Sequence, residues 1–140
     1  MRRHRRIEET VQTRFFDHVR ARGVPGLVCW HTPQGNKLGG VTVSGGIPLQ
    51  AIINKRLGVR AGVSDVLAFH NKKLYCLELK SDTGKLTPAQ KAYIMAMAAQ
   101  GAYCDVAYGL DDALRIFEDW GLLSGKTARF AGHGKKLVLE

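Results

Sequence analysis

Asp65, Glu78 and Lys80 carry opposite charges at a spacing that chemistry can use. Glu78 and Lys80 stand two apart in the apolar run Leu74–Lys80, which has the composition of a strand. Both therefore point to one face, while Leu77 and Leu79 point to the other, into core. Asp65 opens the run Asp65–His70, and Asn71-Lys72-Lys73 reads as the turn that folds the two runs into a β-hairpin. With so short a turn the numbers of paired residues add to about 143, which sets Asp65 opposite Glu78. The two carboxylates are then cross-strand neighbours, with Cβ atoms ~4.5–5.5 Å apart. Like charges that close repel, and a divalent cation relieves the repulsion. Two carboxylates, the backbone carbonyl of Leu79 and water suit Mg²⁺ or Mn²⁺, which prefer oxygen ligands. Lys80 beside the ion can orient or acidify a water, or neutralise charge on a pentavalent phosphorane. Gln90, near the start of the next helix, is placed to position that water. These parts make a metal-dependent phosphodiesterase.

Each residue also has a plainer reading. Glu-x-Lys is common on solvated strand faces. A lone Asp65 reads as a turn cap, and Gln90 as the third residue of a helix capping box, a role it can hold alongside a catalytic one. The three features together, with the basic surplus described below, favour the site.

The elements that must position these groups follow from the pattern of the chain. Residues 5–22 read as a helix, with Ile7, Val11, Phe15 and Val19 recurring every four positions, and Gly23-Val24-Pro25-Gly26 stops it. Leu27–Trp30 is a short strand. A long loop rich in turn formers runs from His31 past Gly45, Gly46 and Pro48, and loops of that length in compact domains are commonly functional. Residues 49–57 read as a helix with Leu49, Ile52, Ile53 and Leu57 apolar. After the hairpin, Thr87-Pro88-Ala89-Gln90 is a helix start, and Gly101 ends that helix. Its residues Tyr93, Ile94, Met97 and Ala98 form the apolar face. Tyr103–Tyr108 is a strand, and a helix follows from Asp111 to Trp120 with Ala113, Leu114, Phe117 and Trp120 facing inward. Lys136–Leu139 reads as an optional further strand. The strand–helix–strand piece over 74–108 implies a right-handed crossover and a parallel pair beside the antiparallel hairpin. The expected class is α/β, a central mixed β-sheet flanked by helices.

Composition narrows the partners. The 140 residues carry 21 Lys plus Arg against 12 Asp plus Glu, a net charge of +9. Residues 1–60 hold 11 basic and 3 acidic side chains, and residues 61–140 hold 10 and 9, so the imbalance lies in the first part. A concentrated basic surface points to a polyanion, most often nucleic acid. Arg2, Arg3, Arg5, Arg6, Lys37, Lys55, Arg56 and Arg60 are the candidate DNA contacts, giving affinity without sequence choice. No apolar run approaches the ~18–20 residues of a membrane span. The basic start lacks the apolar stretch of a secretory signal, so a cytoplasmic location is expected. The three scattered cysteines, Cys29, Cys76 and Cys104, exclude a disulfide framework and suggest no structural zinc.

The strings Gly62-Val63-Ser64-Asp65, Leu77-Glu78-Leu79-Lys80 and Gly84-Lys85-Leu86-Thr87, with Gln90 and Gly101, resemble the VRR-Nuc domain. That domain is the virus-type replication-repair branch of the PD-(D/E)XK nuclease superfamily. The resemblance spans about residues 8–120 of a chain read as one domain, with a basic end at 1–6 and a tail at 121–140. It implies a restriction-endonuclease-like core, Asp65 and Glu78 as metal ligands, Lys80 as the catalytic lysine and Gln90 as the glutamine after the core strands. It also implies an acidic residue in the first helix, assigned to Glu8 with Glu9 as the alternative. His31, Pro33, Asn36 and Lys37 resemble a His-x-Pro-x-x-Asn loop of phage-like members, with substrate contact as its role. His31 reads equally as a satisfied polar group at a strand end. Ser64 departs from the family pattern, which has Pro before the aspartate. Stand-alone members resemble homodimeric nucleases of four-way (Holliday) junctions, in bacterial or phage-infected cells. The alternatives are a flap or less selective nuclease, or a non-catalytic nucleic-acid-binding module.

Overall fold

The computed structural model describes residues 2–33 and 49–127, with side chains from residue 9 onward. A 21-residue helix, α1 (Arg2–Arg22), leads into the short strand β1 (Val28–His31) and a second helix, α2 (Leu49–Arg56). The hairpin follows as β2 (Val66–His70) and β3 (Lys73–Lys80). Helix α3 (Pro88–Ala99), strand β4 (Tyr103–Tyr108) and helix α4 (Leu110–Asp119) complete the order. The strands form one mixed sheet in the order β1-β2-β3-β4. The first three are antiparallel, and β4 runs parallel to β3 after the α3 crossover.

The hairpin turn is tighter than its sequence suggests. Asn71 and Lys72 alone make it, with φ of 48° and 65°, and Lys73 already belongs to β3. Two consecutive left-handed residues twist with the strands, as a type I′ turn requires. The turn locks Val66 opposite Leu77 and His70 opposite Lys73. Extending that register by one residue sets Asp65 opposite Glu78.

Strand β3 is buried on both faces over Tyr75–Leu79, as a strand between two helical layers must be. Tyr75, Leu77 and Leu79 face the larger core, formed with Phe15 of α1 and Ala113, Leu114, Ile116 and Phe117 of α4. Phe15 meets Phe117 edge to face, ring centroids 4.7 Å apart. Cys76 and Val106 face a smaller core completed by Tyr93 and Ile94 of α3. Glu78 shares that inner face.

Burial is uneven across the apolar positions. On α3, Tyr93 and Ile94 are buried, but Met97 is only half-buried and Ala98 is exposed. Met97 packs against the edge of this smaller core, and Ala98 lies outside it. On α2 no residue is buried, and Ile52 and Leu57 face solvent, so its apolar positions do not form a core face. The larger core also extends past Trp120. Leu122 and Leu123 are buried, and Leu123 bridges to Gly23. Arg22, Ser124 and Thr127 tie this segment to the buried Glu118 and to the end of α1. The candidate strand at 136–139 lies outside the described residues. Among the described residues, no helix is long and apolar enough to cross a membrane.

The unequal burial predicts unequal tolerance. Phe117→Ala should lower unfolding free energy by about 3–5 kcal/mol in urea titrations. Ala98→Lys, on the apolar face of α3 but exposed, should stay within about 0.5 kcal/mol of the parent.

Candidate active site

Asp65 sits one residue before β2, where the strands begin to part. Its Oδ2 accepts the Leu79 N–H at 2.9 Å and so continues the ladder with a side chain. Its main-chain carbonyl accepts the Thr32 N–H at 2.9 Å and His31 Nδ1–H at 2.8 Å. Asp65 is thus pinned from β1 by its backbone and from β3 by its carboxylate. Backbone polar groups alternate along a strand, so the Leu79 carbonyl lies toward the same side as its N–H.

Glu78 is 1 % exposed. Its Oε1 accepts Gln90 Nε2–H at 2.8 Å and lies 3.9 Å from Lys80 Nζ. Its Oε2 is buried with no partner. Burial, and next the charge of Asp65, push the Glu78 carboxyl up to about 9, with Lys80 pulling against them.

Gln90 works in two places at once. Its N–H donates to Thr87 Oγ1 at 3.2 Å, and its Oε1 accepts the Thr87 N–H at 2.9 Å, a complete capping box. Its amide nitrogen is then free for Glu78. Its oxygen accepts from Thr87 and one of its two amide hydrogens goes to Glu78, so Gln90 orients the carboxylate, while the second amide hydrogen is used by neither bond. Two glycines let this packing close. Gly62 has φ of +79°, and a Cβ there would lie 2.3 Å from the Ala89 carbonyl and 2.6 Å from the Gln90 nitrogen. A Cβ on Gly84 would lie 3.2 Å from the Lys80 stem, so this bare backbone forms one wall beside the lysine.

Among the described residues, four buried side-chain polar atoms lack a partner: Thr32 Oγ1, Ser64 Oγ, Glu78 Oε2 and Arg115 Nε. The first three belong, in that order, to a residue bonded to the Asp65 carbonyl, to the residue before Asp65, and to the acid opposite it. Buried polar groups are nearly always satisfied, so the unpartnered Glu78 Oε2 opposite Asp65 marks a place where something polar binds. A hard divalent cation fits the donors: the Asp65 carboxylate, Glu78 Oε2 and the Leu79 carbonyl. Among the described residues, no three His, Cys, Asp or Glu side chains converge as a ligand set.

The structure brings Asp65, Glu78, Lys80 and Gln90 together. Glu9 is exposed on α1. The side chains of Glu8, Arg2, Arg3, Arg5 and Arg6, and residues Asn36 and Lys37, lie outside the described residues. Lys55, Arg56 and Arg60 are exposed, and the Arg60 guanidinium stands 5.7 Å over the Tyr93 ring. His31, left between two readings by its sequence, is satisfied by the Asp65 carbonyl and so helps to hold that residue. Nothing in its local sequence signals this contact, which spans 34 positions.

No family model matches the sequence, and no curated protein matches it. A solved structure described as a VRR_NUC domain protein superposes with a TM-score of 0.60 at 25% identity, covering 79% of this chain and 84% of that one. The chain has a VRR-Nuc fold. Its mixed sheet and flanking helices are the restriction-endonuclease-like α/β core of that nuclease-type fold.

The buried acid sets a pH dependence. In the metal-free folded protein Glu78 keeps its proton up to about 9, whereas the unfolded chain releases it near 4.5. The stability from the protonated carboxyl is complete below the lower value and is lost progressively as pH rises toward the higher one. Glu78→Gln should therefore gain stability over the parent across that window in EDTA, read as a widening gap between urea midpoints.

Proposed function

We propose that the protein is a metal-dependent endonuclease that hydrolyses DNA phosphodiester bonds. The observation that carries this reading is the buried, half-partnered Glu78 carboxylate opposite Asp65, with Lys80 beside it, within a nuclease-type fold. Asp65, Glu78 and the Leu79 carbonyl would hold Mg²⁺ or Mn²⁺. When bound, that ion supplies Lewis-acid polarisation of the phosphate and a more acidic water. Gln90 turns the Glu78 carboxylate toward the site, and the Leu79 N–H turns that of Asp65. Lys80, whose side chain is 14% exposed, offers its ammonium to the phosphate oxygens as they gain charge. The water oxygen bonds to phosphorus, one ester P–O bond breaks, and the departing oxygen takes up a proton.

Branched DNA is the proposed substrate, most specifically the four-way junction, cut by a homodimer. Two sites related by a two-fold axis suit paired cuts in two strands. The basic surplus supports DNA as the ligand, with Lys55, Arg56 and Arg60 exposed to meet phosphates and Arg2, Arg3, Arg5, Arg6 and Lys37 adding charge. Glu8 remains the proposed further acid of the site, with a cytoplasmic setting for the reaction.

Labelled junction, flap and plain duplex, incubated with Mg²⁺ or Mn²⁺, test the reading. Cleavage of the junction above the others is expected. Retained binding with no cleavage in either metal would identify a non-catalytic module. Lys80→Ala should cut at least ~100-fold more slowly while binding Mn²⁺ nearly as well, since Lys80 stabilises developing charge and is no ligand. Asp65→Asn should lose both Mn²⁺ affinity and cutting. Normal cutting by Lys80→Ala would remove the assigned roles.

A further inference from the structure

The seam between β3 and β4 holds two cysteines that the hydrolytic chemistry does not use. Cys76 and Cys104 are register partners on these parallel strands, and both side chains stand on the face covered by α3. Their thiols are bonded to each other, and the Cys76 thiol is bonded to the Tyr93 hydroxyl as well. Cys76 is fully buried, whereas Cys104 is half-buried on β4, an edge strand of the sheet. The third cysteine, Cys29, is on β1 and packs against the larger core on the other face.

A covalent bond between the two sulfurs fits this placement. Directly opposed residues of neighbouring strands have Cα atoms ~4.8 Å apart, inside the ~4.4–6.8 Å that a disulfide spans. The Cβ atoms of a disulfide lie only ~3.8 Å apart, closer than the strand spacing. Closure therefore draws β3 and β4 together at this point, and the resulting strain makes the bond easy to reduce. Such a bond is transient and reversible, unlike the permanent framework that three scattered cysteines exclude.

We infer that Cys76 and Cys104 form an oxidative-modification site, which a peroxide closes into a reversible disulfide beside the acid pair. A peroxide is little larger than water, and the half-buried Cys104 on the sheet edge is the thiol it reaches first. The Cys104 sulfur attacks the O–O bond of hydrogen peroxide, giving a sulfenic acid and one water. The Cys76 sulfur then attacks the Cys104 sulfur. The S–S bond forms, the S–O bond breaks, and the hydroxyl leaves as water with the Cys76 proton. Both sulfurs are oxidised and the peroxide oxygens are reduced. Cys76 stands two residues before Glu78 on the same face of β3, and Tyr93 stands three residues after Gln90 on α3. Closure consumes the thiol that Tyr93 is bonded to and pulls β3 toward β4, so the Gln90–Glu78 contact readjusts. The site goes beyond the nuclease reading and needs neither metal nor DNA.

The whole, metal-free protein, treated with hydrogen peroxide and then unfolded for thiol counting, tests this. Three thiols should fall to one, that of Cys29, with Cys76 and Cys104 joined in a peptide map, and dithiothreitol should restore all three. Cys104→Ser, with Cys104→Ala as a second variant, should keep both remaining thiols under the same treatment. The NMR signal of the Gln90 side-chain amide, identified by its loss in Gln90→Glu, should shift on oxidation of the parent and return with dithiothreitol. It should stay in place in the Cys104 variants. The reversal separates the disulfide from oxidation of the exposed Met95, which dithiothreitol does not undo. Three surviving thiols, loss of one alone, or a disulfide that leaves the Gln90 signal unmoved would overturn the inference. A reversible disulfide in a protein that cuts no DNA would instead sink the nuclease reading and leave this site standing. Cutting by a protein that closes no disulfide would do the reverse.

Discussion

An acid buried beside another acid is the constraint around which this structure is arranged. Glu78 has almost no contact with solvent, one oxygen without a partner, and Asp65 across the strand gap. Removing a carboxylate from water without full compensation is costly. The protein answers with a proton held to unusually high pH, the Gln90 amide and the nearby Lys80 ammonium. The amide and the ammonium both reach Oε1, and neither reaches Oε2. Ground-state stability is given up at one atom, and that atom faces the place where a cation would find its ligands.

The rest of the fold makes that arrangement reproducible. The two-residue turn at Asn71-Lys72 fixes hairpin register, and a slip of one position would send Glu78 to the opposite core and Leu77 into the site. Helix α3 is begun by Thr87, and the residue that completes its cap is the one that reaches Glu78. Gly62 lets the preceding turn lie against the first turn of that helix. Helix initiation, backbone packing and the orientation of a carboxylate are therefore one coupled event. His31 extends the coupling to β1, so Asp65 is held from both neighbouring strands.

The site was more legible in the sequence than its surroundings were. The sum rule of a short hairpin sufficed to oppose Asp65 and Glu78, because register depends on local turn geometry. Period-2 alternation placed Glu78 and Lys80 on one face, and the capping signature located Gln90. What escaped was the division of labour. Gln90 was readable as a cap and as a water-positioning group, and only its distances to Thr87 and Glu78 show that the cap and a contact to the carboxylate are made together. The exposure of α2's apolar residues and of Ala98 on α3 was not legible, because periodicity shows which face is apolar, and not whether another element arrives to cover it.

By itself, then, the chain of residues determined what is local: the turn, the hairpin register, the helix start, the surplus of positive charge, and the pairing of two acids with one amine. Tertiary structure decided what depends on distant segments meeting. It buried Glu78 beneath α3 and brought His31 to the carbonyl of Asp65. The physical reason is that turns and caps are settled by neighbours within a few residues. Desolvation is settled by whichever elements pack overhead.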